Sequence, residues 1–394
     1  MKNATAILRI PKRRRLASPQ NRRGATLVLA VVMMFMLFGF VAFSVDTGYL
    51  AQARSEMRRT ADAAAMAGCW EVYSKLELGD EVDLSDNDVR EAAADIAALN
   101  PVCRQAPTLD VSQQSQEVEI GFLDSVRQTV LSDDDALPYI GVKVSLNRTA
   151  SRNGEIPFFF GRMFGDTGRS MTADATAVMA QHISGFITPG EDEDVRLDIL
   201  PFALDVDTWD DMMLSATQYD DYGYDPSDGS VDCSGDGIFE VNLYPQGTGS
   251  PGNRGTVDIG GSNNSTNDIA RQITDGISAQ DIIDLGKPLV LNSGEMMLEG
   301  DTGISAGVKD ELASIIGEKR IIPLFSSVSG NGNNAEYTIV RWVGIRILNV
   351  KLTGKMSGKR VVVQPAPIIA ANAIPNVDGG ITSDFVLTPV VLAN

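Results

Sequence analysis

The sequence predicts an α+β protein: a long N-terminal transmembrane helix packed on a small antiparallel sheet, followed by a second, β-rich α+β domain. Three observations predict it. Ala25 to Val45 is apolar and without charge, and no proline falls between Pro19 and Pro101 to interrupt a helix continuing through Ala61–Gly68 (ADAAAMAG). Beyond that helix, segments such as Tyr139–Leu146 (YIGVKVSL) alternate in the period-two manner of strands. At Gly185–Asp194 (GFITPGEDED) the composition shifts to loops rich in Asp, Gly, Asn and Ser, as between two folded units.

The chain accordingly divides into a basic tail (1–24), a transmembrane helix (25–45), a first domain (46–184), a linker (185–194), a second α+β domain (195–370) and an extended tail (371–394). The tail carries Lys2, Arg9, Lys12, Arg13, Arg14, Arg15, Arg22 and Arg23 and no acid, and its composition with Pro11 and Pro19 is that of a disordered segment. Ala25–Val45 is 21 residues, which as a helix spans about 31 Å, the depth of a bilayer's hydrocarbon core. A cleaved signal peptide is the competing reading, but the apolar run exceeds a usual h-region and Ser44-Val45-Asp46 is a poor cleavage site. Basic residues next to a span stay cytoplasmic, which places the tail inside and the body outside. Past the span, 25 Lys and Arg face 52 Asp and Glu. A body so acidic repels phosphate backbones, so nucleic acid is not an expected partner. The lipid bilayer is one, through Ala25–Val45.

Outside the span, Tyr49, Ala53, Met57, Ala61, Ala64 and Gly68 recur at steps of three and four and form one narrow helical stripe. Small residues let another backbone approach closely. Two occupants stay open: the protein's own sheet, or helices of partner subunits. A second helix is expected at Asp86–Leu99, with Ser85 as N-cap and Pro101 after its end. Strands are expected at Glu117–Leu123, Tyr139–Leu146 and Thr172–Gln181. Between the last two, Ile156–Gly165 (IPFFFGRMFG) reads as an aromatic plug of the core between helix and sheet, with a membrane-surface patch as the alternative. The second domain opens with the strand signal Leu197–Leu204 and runs through a polar loop, Asp220–Gly261. Helices follow at Ser265–Asp275, Ala279–Asp284 and Ala306–Ile316, and strands at Arg320–Phe325, Tyr337–Leu352 and Arg360–Gln364.

The basic residues and Gly24, the apolar span, Asp46-x-Gly48 beyond it and the Ala61–Gly68 run together resemble the Tad/Flp pilus-assembly family, in particular its TadE/TadG-like members. The resemblance extends through Gly141–Val144, Pro157-Phe158-Phe159, Phe164-Gly165 and Ala173–Ala177, and covers about residues 20–182. It implies a pilin-like first domain, residence as a single-pass protein of a bacterial inner membrane, and other pilus-assembly or pilin-like subunits as partners. It implies a structural role in a Tad (Flp-type) pilus or secretion assembly, exercised by helix packing and extracytoplasmic contacts. One departure matters. Type IV-like prepilins are cut after a glycine and carry glutamate at the fifth mature position, and here that position is Leu29. The departure favours an uncut, anchored accessory protein, for which Asp46, Gly48, Ala61, Ala64 and Gly68 would place and pack the helix.

No catalytic, cofactor or metal site is expected, and no enzymatic activity. His182 is the only histidine and has no nucleophile motif beside it. Asp-Thr-Gly occurs at Asp46, Asp166 and Asp301 without the apolar strand an aspartic protease requires. Gly255–Asn264 and Gly300–Gly307 lack the lysine of a P-loop, so no small-molecule substrate is evident. Asp232–Gly237 (DCSGDG) matches the start of a calcium loop, but its twelfth position is Leu243. An acidic solvated loop is the default there, and a surface adhesin or binding module, calcium-stiffened near Asp232, is the alternative function. A Cys69–Cys103 disulfide is open in an oxidising compartment, against the default of cysteines as small apolar residues in the fold.

Overall fold

The structure is a computed structural model that describes residues 22–79, 81–128, 130–190, 195–214, 219–244, 254–261, 265–301, 304–330, 335–377 and 379–393. The basic tail before Arg22, the end of the expected linker (191–194) and parts of the loops of the second unit lie outside these residues. The observed class is α+β, with a long apolar N-terminal helix, further helices and several antiparallel sheets.

Helix α1 runs unbroken from Arg22 to Glu77, 56 residues, about 84 Å at the standard rise. Its character changes at Asp46. From Leu27 to Val45 the large apolar side chains are exposed all round, and none of the described residues buries them. From Ala53 on, one stripe disappears from solvent: Ala53, Met57, Ala61, Ala64, Ala65 and Cys69 are wholly buried. They share a core with Val89, Ala93 and Ala97 of helix α2 (Asn87–Leu99) and with Ile140, Val142 and Val144 of the sheet behind. The small residues of the stripe are therefore used within the chain. At Gly68 a Cβ would stand 2.8 Å from Val142 Cγ1 and 3.4 Å from the Val89 carbonyl oxygen, so glycine there lets helix, helix and sheet meet.

The N-cap of α2 is Asp86, not Ser85: its carboxylate accepts from the Asp88 and Val89 N–H groups. An ionised cap binds the free N–H groups more strongly than a hydroxyl does. The first sheet orders strand β1 (Val118–Leu123), β2 (Tyr139–Arg148), β3 (Met171–Ala180) and, at its edge, Val391–Leu392 from the far C-terminus, all antiparallel. The buried Arg148 ties the Val102–Gln105 turn to this sheet through the Val102 carbonyl and Gln105 Oε1.

The second unit is built on a ring of strands. β4 (Phe202–Asp205) pairs with β5 (Arg254–Val257), β5 with β6 (Met296–Asp301), and β6 with β8 (Ala335–Lys351). The hairpin of β7 (Lys319–Ser329) with β8, and a parallel β7–β4 pairing, close the ring, while β9 (Arg360–Pro365) extends it from β8. The expected strand Leu197–Leu204 shrinks to β4. Pro201 has no N–H to give a ladder, and upstream only single bridges at Leu197 and Ile199 remain. Helices α3 (Val206–Met213), α4 (Thr266–Asp275), α5 (Ala279–Leu285) and α6 (Lys309–Ser314) follow in order, the last preceded by a 3-10 turn at Ala306–Val308.

The two units are sewn together. Ala373–Pro375 pairs with Ile183–Phe186, Ser383–Asp384 pairs parallel with β8, and Val391–Leu392 joins the first sheet. At Gly185 a Cβ would lie 2.1 Å from the Leu289 carbonyl oxygen, so this crossing accepts only glycine. The end of α1 reaches the second unit as well. Lys319 pairs with Glu77 and donates to Tyr73 Oη at 3.1 Å. Arg346, buried and stacked 3.3 Å from the Tyr224 ring centroid, lies 3.5 Å from Glu77.

Candidate functional site at the exit of the apolar helix

The feature that the elements bring together lies where α1 leaves its bare apolar section. Ile156–Pro157 and Gly168–Arg169 form a short antiparallel pair, and the Phe158 N–H donates to the Thr167 carbonyl at 3.1 Å. The apex between them is a 3-10 turn, Gly161–Phe164, closed by Gly165 at φ 88°, in the left-handed region. Asp46 of α1 holds this hairpin. Its carboxylate accepts from the Phe159 N–H at 2.8 Å, the Phe160 N–H at 3.2 Å and the Gly161 N–H at 2.8 Å. Burial pushes the Asp46 carboxyl up, but the three N–H bonds outweigh it and hold the group below the ordinary carboxylate value. One turn further on, Tyr49 meets the Phe159 ring edge-on, centroids 4.9 Å apart.

The aromatic cluster is not a plug of the core. Phe159 is 59% exposed, Phe160 39%, Met163 81% and Phe164 84%. Of the expected plug only Ile156 enters the core, where with Met57, Val142 and Leu146 it fills the space between helix and sheet. The backbone of the apex is spent on Asp46, so its side chains are turned outward. Nothing in the sequence alone pairs Asp46 with a loop more than a hundred residues away.

The other residues singled out in the sequence fall elsewhere. Ala61, Ala64 and Gly68 pack inside the first core, whereas Gly48 has open space where a Cβ would be. Cys69 and Cys103 are separate free thiols, so of the two readings the small apolar residue holds and the disulfide does not. Burial pushes the Cys69 thiol up to about 12, while the Cys103 N–H donates to Glu56 Oε2 at 2.6 Å. His182 is half-buried near the Ser383 carbonyl at 3.3 Å, its pKa lowered by burial. The carboxylates around Asp232 accept from backbone N–H groups. Asp232 turns onto the Ser234 N–H, and Asp220 accepts from the N–H groups of Asp236 and Gly237. Among the described residues, no three His, Cys, Asp or Glu side chains converge as metal ligands. A cavity of about 480 Å³ in the second unit is lined by Tyr219, Tyr222, Glu240, Arg254 and Arg360. Burial, with repulsion from Asp221 and Asp220, pushes Glu240 up to about 7.

The long helix and the sheet packed on its outer half are also where the chain matches known proteins. Residues 24–71 match the family of Flp pilus-assembly TadE/G-like proteins, and residues 55–177 match the Tad-like Flp pilus-assembly family. Residues 24–177 are Tad-like. The matched segment begins at the glycine before the apolar run and ends inside β3, so it holds nearly all of α1, α2, β1, β2, most of β3 and the Asp46-bound hairpin, but not the edge strand Val391–Leu392. The two matches support a role related to the Tad pilus, in families of pilus-assembly structural proteins. No curated protein and no solved structure matches the chain.

Proposed function

We propose that this chain is a membrane-anchored, pilin-like accessory protein of a Tad (Flp-type) pilus or secretion assembly. It acts structurally, through helix packing and the contacts of its extracytoplasmic domains. One observation carries the reading. A single helix is bare and apolar over the length of a bilayer and then becomes the central core element of a folded domain. Such a helix transmits its position in the membrane rigidly to the domain outside. Because the stripe of small residues is occupied by the chain's own sheet, lateral contacts with other subunits fall to the bare span and to open positions such as Gly48. The basic residues before the span support an N-terminus on the cytoplasmic side of a bacterial inner membrane.

The test is to extract native membranes with alkaline carbonate and determine the N-terminal residue of the chain that stays behind. The proposal expects a retained chain with its basic tail intact. A chain starting at Ala25 would be a processed pilin-like subunit and would overturn the accessory role. A chain released by carbonate would overturn anchoring.

A second reading, a binding module, is favoured by the cavity beside Glu240 and Arg254. Burial lowers the Arg254 pKa, and its buried Nε has no hydrogen-bond partner among the described residues. A small-molecule panel that raises Tm in the parent chain but not in Arg254→Gln would support it.

A further inference from the structure

We propose that the Phe159–Phe164 hairpin is a second membrane contact: its exposed aromatic and methionine side chains enter the outer interfacial layer of the bilayer crossed by α1. The inference rests on the anchored reading and goes beyond it: the sequence leaves a membrane-surface patch open beside a core plug, no family match assigns the hairpin a partner, and its exposed, clamped geometry decides for the membrane.

The first argument is position. Asp46 is the residue after the apolar run and fixes the hairpin by three backbone bonds. Tyr49, stacked on Phe159, stands only about 6 Å beyond Val45 along the helix axis. The apex is therefore attached at the level where hydrocarbon gives way to headgroups. The second argument is composition. Phe159, Phe160, Met163 and Phe164 are a contiguous apolar group on an otherwise acidic body. Such a group facing water is a mark of an interaction surface, and aromatic rings concentrate at membrane–water interfaces. Continuity with the bare span identifies the occupant as lipid. The third argument is charge. Arg162 at the apex and Arg169 at its base are exposed; of the acids nearby, Asp166 is exposed, Asp46 is taken up by the apex N–H groups, and Glu155 at the base accepts from Ser170 Oγ. Guanidinium groups at that depth meet lipid phosphates, and the long stems of Arg residues allow it. The fourth is the clamp: with its backbone bound by Asp46, the apex cannot fold its rings inward.

Two membrane contacts on one rigid element would fix the tilt and rotation of the domain as well as its height.

The test uses the full chain in vesicles of phosphatidylcholine and phosphatidylglycerol, with or without acyl-brominated lipid, which quenches only a tryptophan near the bilayer. The natural Trp209 and Trp342 are buried in the second unit, and Trp70 lies about 37 Å beyond Val45 along the helix. Phe164→Trp is expected to add blue-shifted emission, most of which brominated lipid removes. Phe38→Trp, within the span, reports on anchoring independently. Quenching of Phe38→Trp without quenching of Phe164→Trp would overturn the hairpin contact and leave the anchor standing. Loss of quenching at both positions would overturn the anchor itself. Blue-shifted but unquenched emission from Phe164→Trp would mean that protein covers the loop, and would also overturn the proposal. Adding Asp46→Ala is expected to weaken quenching at position 164 and to leave it unchanged at position 38, an outcome that an unclamped loop would not give.

Discussion

Gly68→Val puts the internal use of the small-residue stripe to a quantitative test. The first added carbon alone lands 2.8 Å from Val142 Cγ1 and 3.5 Å from the Ala93 Cβ. Val142 is wholly buried on the middle strand of the sheet, and its branched side chain has little rotamer freedom with which to yield. The helix must move off the sheet, an overpacking cost of about 1–3 kcal/mol. Valine recovers only about 0.4 kcal/mol over glycine in helix propensity. The net loss is about 0.6–2.6 kcal/mol, or a Tm decrease of roughly 2–8 °C for a domain of this size. Gly48→Val is the matched control, because nothing lies within 4 Å of its Cβ, and the propensity gain leaves Tm level or slightly raised. Thermal unfolding of the detergent-solubilised full chain, followed by circular dichroism, reads both. A Gly68→Val chain as stable as the parent would refute the packing described here. A Gly48→Val chain that unfolds early would do the same.

Glu77→Gln leaves the buried Arg346 and the half-buried Lys319 without their shared carboxylate. It is expected to cost about 1–3 kcal/mol, seen as a lower urea midpoint. Glu240 is the pH-sensitive group of the second unit. Its folded pKa, about 7, lies above the ordinary 4.5, so the folded state holds its proton more tightly than the unfolded one. Its effect is absent below pH 4.5, destabilises progressively as pH rises to about 7, and is constant above. The stability difference between Glu240→Gln and the parent should therefore grow from pH 5 to pH 8; a flat difference would contradict the shift. Chelator and added calcium should each leave Tm unchanged, because the Asp232 region binds its own N–H groups; a rise in Tm with calcium would show otherwise.

The helix and the strands were readable because each depends on a local period. The unbroken apolar and alanine-rich run indicated α1, the alternation in Tyr139–Leu146 indicated β2, and the helix expected at Ser265–Asp275 is α4. What escaped depends on residues far apart in the chain. The pairing of Val391–Leu392 with β3, the closure of the ring by β4 and β7, and the Asp46 hairpin all join segments separated by more than a hundred residues. Such contacts leave no period in the sequence. The aromatic hairpin reads in the sequence as a core plug first and a membrane-surface patch second, because apolar composition says only that a segment avoids water; that its rings are exposed follows from the fold. Asp46 was legible as a marker of the span's end, but its function as acceptor for three N–H groups follows only from the fold.

Anchoring by one helix with the body outside is the claim on which the rest depends. The natural, exposed Cys233 offers the most direct measurement of it. Intact spheroplasts treated with a membrane-impermeant maleimide should label the chain strongly, and Cys233→Ser should remove most of that label. A chain that takes up the reagent only after the spheroplasts are lysed would place the second unit in the cytoplasm and contradict the account.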